Sequence, residues 1–231
     1  MIKVAVVTGA SRGIGFEICK KFAESGHHTV AVARSEKHLK ELEKCNEQLI
    51  HAIPADLTDE KAVGRLVNEV ENKFSKVDVL INNAGALINK PFKDLALSDW
   101  RSQVESNLIS AVNITRQLLP LFNKNAHIVN ISSMGGFQGS AKFPGLSAYS
   151  AAKGALSILT ECLAIELADK QIKANALCLG AVQTDMLESA FPGIEAPVNP
   201  EQMGTYIADF ALNGSTFYNG KILPVTLQDP E

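Results

Sequence analysis

The sequence predicts an α/β fold: a doubly wound parallel sheet of seven strands flanked by helices. Two observations carry this. Short β-branched runs recur along the chain as continuous apolar segments, the pattern of strands buried on both faces. Longer amphipathic stretches separate them, as crossover helices require. With 231 residues the chain is long enough for one large domain and short for two. No repeat, linker or low-complexity tract divides it, so residues 1–231 read as a single domain.

The predicted strands are Lys3–Val7, Thr29–Ala33, Leu49–Ile53, Val77–Ile81, His127–Ile131, Ile172–Leu179 and Lys221–Val225. The predicted helices are Ile14–Glu24, Glu36–Asn46, Asp59–Phe74, Ser98–Phe122, Ala148–Asp169 and Pro200–Leu212. In the fifth of these, Ala152, Leu156, Leu159, Leu163 and Leu167 recur at helical spacing and mark a buried face.

The first strand runs into Gly9-Ala10-Ser11-Arg12-Gly13-Ile14-Gly15, which opens a helix. A glycine-rich strand-to-helix turn lets backbone N–H groups approach a pyrophosphate. At the end of the second strand, NAD sites place an acid and NADP sites a cation. Here Ala33 stands where an acid would be, followed by Arg34 and Ser35, and Arg12 offers a second cation. These residues point to NADP. Asp56-Leu57 and Asn82-Asn83-Ala84-Gly85 follow the third and fourth strands, at the strand ends where such folds bind ligands. Asn83, Ala84 and Gly85 are expected against the cofactor, with Asn82 locking neighbouring strands.

Asn107 and Asn113 interrupt a helix in which asparagine is a poor interior residue, so one of them is expected to hold a specific hydrogen bond. Ser132 and Ser133 end the fifth strand and point to opposite faces, so only one can face the cleft. Tyr149 and Lys153 lie four residues apart on one helix face. A free tyrosine titrates near 10, and a neighbouring cation favours its phenolate.

Composition narrows the function. The chain is 46% apolar with a net charge of −3 and a pI near 6.0, which gives no attraction to nucleic acid or an anionic membrane. No apolar run approaches the roughly 18 residues of a transmembrane helix. Strand-like sequence from Ile2 leaves no room for a signal peptide, so a cytoplasmic location is expected. Cys19, Cys45, Cys162 and Cys178 lack metal-binding spacing, and no metal is expected.

Taken in order, the glycine turn, the Asp-Leu pair, Asn-Asn-Ala-Gly, the helix asparagine, the serine, Tyr-Ser-Ala-Ala-Lys and Val182-Gln183-Thr184 resemble the classical short-chain dehydrogenases/reductases. The resemblance spans nearly the whole chain and implies a Rossmann-type dinucleotide-binding and catalytic domain. It makes Tyr149 the general acid/base. Lys153 would hold the nicotinamide ribose and depress the tyrosine pKa. Ser133 would position the substrate oxygen, and Asn107 would anchor a proton-relaying water. Val182 and Thr184 would hold the carboxamide. It further implies a homodimer or homotetramer built through the two long helices, with small residues at Ser150, Ala151, Gly154 and Ala155.

The expected activity is hydride transfer between NADP(H) and a small-molecule carbonyl or alcohol. The alternative is a non-catalytic NADP(H)-binding regulator. Met134, Phe137, Phe143, Leu146, Met186, Leu187 and Phe191 are expected to line an apolar pocket, and Asp185–Pro197 to form a mobile flap over it. Departures from the family pattern are Leu179 before Gly180 in place of proline, a long serine-to-tyrosine loop, a short lid and a C-terminus without paired glycines.

Overall fold

The computed structural model describes residues 1–227. Its seven strands are β1 (Val4–Thr8), β2 (His28–Ala33), β3 (Ile50–Pro54), β4 (Val77–Asn82), β5 (Phe122–Ser133), β6 (Lys173–Leu179) and β7 (Ile222–Val225). They form one sheet in the order β3-β2-β1-β4-β5-β6-β7, and every pairing is parallel. The chain winds outward from β1 to β3, then returns to place β4 on the other side of β1. That reversal opens a crevice at the carboxyl ends of β1 and β4.

The helices are α1 (Gly13–Glu24), α2 (Glu36–Glu43), α3 (Glu60–Phe74), α4 (Leu97–Val104), α5 (Ser110–Leu118), α6 (Ser147–Glu166), α7 (Asp185–Ala190) and α8 (Pro200–Asn213). Period-two alternation splits the core into two layers. Val7, Ala31, Ile81, Val129 and Leu177 pack on one face with Ile18, Phe22, Leu39 and Ile207, from α1, α2 and α8. Val6, Val30, Leu80 and Ile128 pack on the other with Val63, Leu66, Ile114 and Leu118, from α3 and α5.

Two helix predictions need correction. The second helix stops at Glu43 rather than Asn46. The fourth is not one helix: a π turn over Glu105–Ile109 separates α4 from α5. Asn107 sits in that turn and its Nδ2 donates to the Gln103 carbonyl at 2.9 Å. A side-chain amide competing for a helix carbonyl opens the regular ladder, and such bulges recur at functional sites. β5 also starts earlier than predicted, at Phe122.

The expectation for Asn82 holds. Its Nδ2 donates to Thr115 Oγ1 at 3.1 Å and to Asn130 Oδ1 at 2.8 Å, and Asn130 Nδ2 donates to Thr160 Oγ1 at 2.8 Å. This buried ladder ties α5, β4, β5 and α6 together. Buried polar networks of this kind fix one arrangement of the elements they join.

Candidate active site

At the carboxyl end of β1, Gly9 and Gly13 have φ of +68° and +58°, a region that glycine enters without cost. The turn is also crowded. A Cβ on Gly9 would lie 2.9 Å from Ala84 Cα, and one on Gly15 would lie 2.6 Å from Asn83 Nδ2. Thr8 laces the two turns: its Oγ1 donates to the Ile81 carbonyl at 3.2 Å and accepts from Asn83 N and Ala84 N, each at 3.0 Å. Asn83 Nδ2 donates to the Thr8 carbonyl at 3.0 Å, so its side chain braces the cradle from within. The start of α1 carries no side-chain cap and no acid in its first turn. Its free N–H groups and dipole therefore suit an anion, and the cradle fits a dinucleotide pyrophosphate. Ser11 and Ile14 are half-buried on the same turn.

Arg34 is exposed just beyond β2, with no acid beside it in the chain. Hydrogen bonds from Thr58 hold the Asp56 carboxyl below its ordinary value, with a smaller contribution from Arg34. Ser35 Oγ accepts from His38 N at 3.5 Å and caps α2. Leu57 is buried, and its carbonyl accepts from Asn113 Nδ2 at 2.8 Å. Asn113 is thus the bracing asparagine and Asn107 the one near the cleft. Arg12 Nη1 lies 3.3 Å from Asp185 Oδ2, with both side chains about 70% exposed.

The tyrosine and lysine come from the first turns of α6. Ser133 pulls the Tyr149 phenol downward, whereas Ser132 Oγ donates to the Lys153 carbonyl at 2.9 Å, so Ser133 is the serine on the tyrosine's side. Lys153 is only 4% exposed. Its Nζ donates to the Ile131 carbonyl at 2.8 Å and lies 5.8 Å from the Tyr149 ring centroid. Asn107 Nδ2 donates to the Ala86 carbonyl at 2.8 Å and its Oδ1 accepts from Ala86 N at 3.3 Å. A Cβ on Gly85 would lie 2.6 Å from Asn107 Oδ1 and 3.4 Å from Lys153 Nζ. Only a glycine lets these groups converge there.

The electrostatics differ from the simple expectation that the lysine depresses the phenol. Burial raises Tyr149 above its ordinary value, opposed by the Ser133 hydrogen bond. Burial also lowers Lys153, to about 8. Desolvation disfavours the charged form of each group, and it is the largest cause for both.

Val182 is buried and bridges to Val198. Thr184 caps α7, its Oγ1 accepting from Leu187 N at 3.2 Å. The expected flap therefore contains a short helix pinned at its end, where Asn89 Nδ2 donates to the Ala190 carbonyl at 2.8 Å. Phe191 reaches Phe143 with ring centroids 6.1 Å apart. Of the predicted pocket residues, Met134 and Leu146 are buried, and Met186 is partly exposed. Phe137 and Phe143 line a cavity of about 530 Å³ with Phe92, Ser147 and Ser150, and neither Tyr149 nor Ser133 borders it. No residue of α7 is buried, so its amides should exchange hydrogen far faster than those of α6 in the free protein. Exchange measured with and without cofactor plus a carbonyl ligand checks this. Protection should rise only in the ternary complex, and protection equal to that of α6 without ligand would mark α7 as a fixed element.

A family profile described as short chain dehydrogenase matches residues 3–195. The chain belongs to the short-chain dehydrogenase/reductase family. It is 34% identical over 214 residues to oxidoreductase BOA17 of Botryotinia fuckeliana, covering 91% of this chain and 76% of that protein. Among solved structures, a 7α-hydroxysteroid dehydrogenase complexed with NADH and 7-oxo glycochenodeoxycholic acid superposes with a TM-score of 0.90 at 28% identity, covering 98% of this chain and 94% of that one. L-sorbose reductase from Gluconobacter frateurii, complexed with NADPH and L-sorbose, gives 0.84 at 25% identity, covering 97% and 95%. The chain is therefore an oxidoreductase of this family, with structural neighbours that bind nicotinamide cofactors. Among the described residues no helix is long and apolar enough to cross a membrane.

Three parts of this dehydrogenase/reductase site escaped the sequence reading. Thr8 was legible only as the residue before the glycine turn. The Ile131 carbonyl, which holds Lys153 Nζ, has no sequence signal, because every residue carries a carbonyl. Asn89, the clasp on α7, lies in a loop with no motif.

Proposed function

We propose that this protein, as one dinucleotide-binding and catalytic domain over residues 1–231, transfers hydride between NADP(H) and a carbonyl or alcohol carbon, with Tyr149 as general acid/base. The observation that carries this is buried Lys153, whose Nζ converges with Asn107 Oδ1 on Gly85 and lies 5.8 Å from the Tyr149 ring centroid. A cofactor regulator needs the glycine cradle but not this set. The bound nicotinamide supplies or accepts the hydride. Burial keeps the Tyr149 phenol protonated, the form that delivers a proton to a carbonyl oxygen as its charge develops. Ser133 hydrogen-bonds the same oxygen, stabilising it as an oxyanion hole does. Lys153 supplies positive charge beneath the phenol, and Asn107 orients the chain around Ala86 at the site's floor. Thr184, Val182 and the Asn83–Gly85 turn are the residues we assign to the nicotinamide half of the cofactor.

For cofactor choice, Arg34 stands exposed beside the end of β2, and Arg12 lies on the glycine turn with Asp185 at 3.3 Å. NADPH is expected to bind more tightly than NADH, and Arg34→Ala to remove most of the difference. A charge-assisted hydrogen bond is worth about 1.5–3 kcal/mol, so roughly tenfold or more is at stake. Fluorescence titration with both cofactors tests this, and equal Kd values in the unmodified protein would overturn it. Activity itself is tested by NADPH absorbance decay across ketones, aldehydes, quinones and acyl ketones. Tight NADPH binding with no turnover of any of them would favour the regulator.

A homo-oligomer fits the outer face of α6, where Ala151, Ile158, Cys162 and Ile165 are exposed at alternating helical spacings typical of a helix–helix seam. Gly154 and Ser150, by contrast, pack within the chain against Gly136 and Gly135. We place the protein in the cytoplasm on the same reading.

A further inference from the structure

Ser132 has no part in the chemistry proposed above, since its neighbour Ser133 is the one that meets Tyr149. It is nonetheless buried, and its Oγ donates to the Lys153 carbonyl at 2.9 Å. Ser157, one helical turn beyond Lys153, lies 3.1 Å from the same carbonyl and 3.0 Å from Ser132 Oγ. Cys178 of β6 closes the cluster, with its Sγ 3.9 Å from Ser157 Oγ. The residue before Ser132 holds the other end of the lysine: the Ile131 carbonyl accepts from Lys153 Nζ at 2.8 Å. Two consecutive residues of β5 therefore grip Lys153 at its main chain and at its ammonium. Strand geometry permits this, because Ser132 and Ser133 point to opposite faces. One serine serves the cleft while the other serves the helix behind it.

We propose that Ser132, supported by Ser157, is a positioning residue for Lys153: it fixes the turn of α6 so that Nζ reaches the space beside Gly85 and Asn107. The inference rests on the role given to Lys153 above. Asn130 already ties β5 to Thr160 of α6, but about two helical turns away from Lys153. A second donor from the strand fixes the helix against the sheet at the residue whose reach matters. Small misplacements of a positioned group cost rate steeply.

The test is a double-mutant cycle on Ser132→Ala and Lys153→Ala, reading kcat, NADPH Kd and the pH profile of kcat/KM. Ser132→Ala is expected to lower kcat roughly tenfold, to weaken NADPH several-fold and to shift the profile. In the Lys153→Ala background it should add little, because residues acting through one group do not add. Ser132→Thr, which keeps the hydroxyl, should restore most of the loss. A serine that merely stabilised the fold would lower the melting temperature, leave the pH profile in place and add fully in the Lys153→Ala background; that result would overturn the inference. If Ser132→Ala does not fold, Ser157→Ala approaches the same carbonyl from the helix side and is read by the same cycle. Should Lys153→Ala itself leave binding and turnover unchanged, it is the assignment of Lys153 that fails. A large Lys153→Ala effect with an inert Ser132→Ala fails the positioning role alone.

Discussion

Tyr149→Phe is expected to lower kcat by about 10²–10⁴-fold, the range general acid catalysis contributes, while NADPH affinity changes by about 1 kcal/mol or less. The ring stays and only the hydroxyl goes. Tyr149 is 9% exposed, so the phenylalanine fills the same volume and the fold should persist. The loss falls on two functions at once. The proton donor disappears, and with it one of the two hydroxyls proposed to hydrogen-bond the substrate oxygen. Because the phenol is pushed up by burial, the unmodified enzyme should hold its reductive activity through neutral pH. Steady-state kinetics with NADPH and a carbonyl substrate, paired with cofactor titration, separates the two quantities. Turnover by Tyr149→Phe at the unmodified rate would remove Tyr149 from the chemistry.

The sheet was legible because its signal is local. Each strand is a short apolar run, and β1 through β4 fall within one residue of their predicted ends. Asn82 was legible for a related reason, since it closes a strand at the crevice; strand alternation separated Ser132 from Ser133 without choosing between them, and the choice of Ser133 came from the family resemblance alone. Three things were not legible. The π turn at Asn107 depends on a side chain reaching a carbonyl four residues back, which periodicity does not encode. The Arg12–Asp185 pair joins residues from the first turn and the lid, far apart in sequence, and both belong to segments whose order only the folded chain sets. The upward shift of Tyr149 follows from burial. Sequence shows that a lysine lies on the same helix face, but it does not show how completely both groups leave water. Desolvation then decided the sign.

Sequence also concealed the role of His127, which read only as the first residue of a strand. It is 1% exposed and sits below the carboxyl end of α8, a helix with no basic residue in its last turn. Partners from elsewhere serve that helix end instead. His127 Nδ1 lies 3.0 Å from the Ala211 carbonyl, and Lys3 Nζ donates to the Leu212 carbonyl at 3.1 Å. On its other side, His127 Nε2 lies 2.9 Å from Asn175 Nδ2, which can only donate. The imidazole is thus neutral, protonated on Nδ1. Burial lowers its pKa to about 4; the Ala211 bond opposes this, while Lys3 and Lys173 reinforce it. The unfolded chain takes up a proton near 6.5, which the folded protein refuses until about 4. The stabilisation is therefore complete above pH 6.5 and declines as pH falls towards 4. Over that window the loss is on the order of 3 kcal/mol, at about 1.4 kcal/mol per pH unit where one proton separates the states. Urea unfolding at a series of pH values, on the unmodified protein and on His127→Asn, isolates this from the carboxylates, which titrate in both. The variant keeps a donor near Nδ1 and has no proton to gain, so its stability should fall less steeply between pH 6.5 and 4. Parallel curves for the two proteins would mean that His127 is already charged in the folded state, and the hydrogen bond from Asn175 would have to be reassigned.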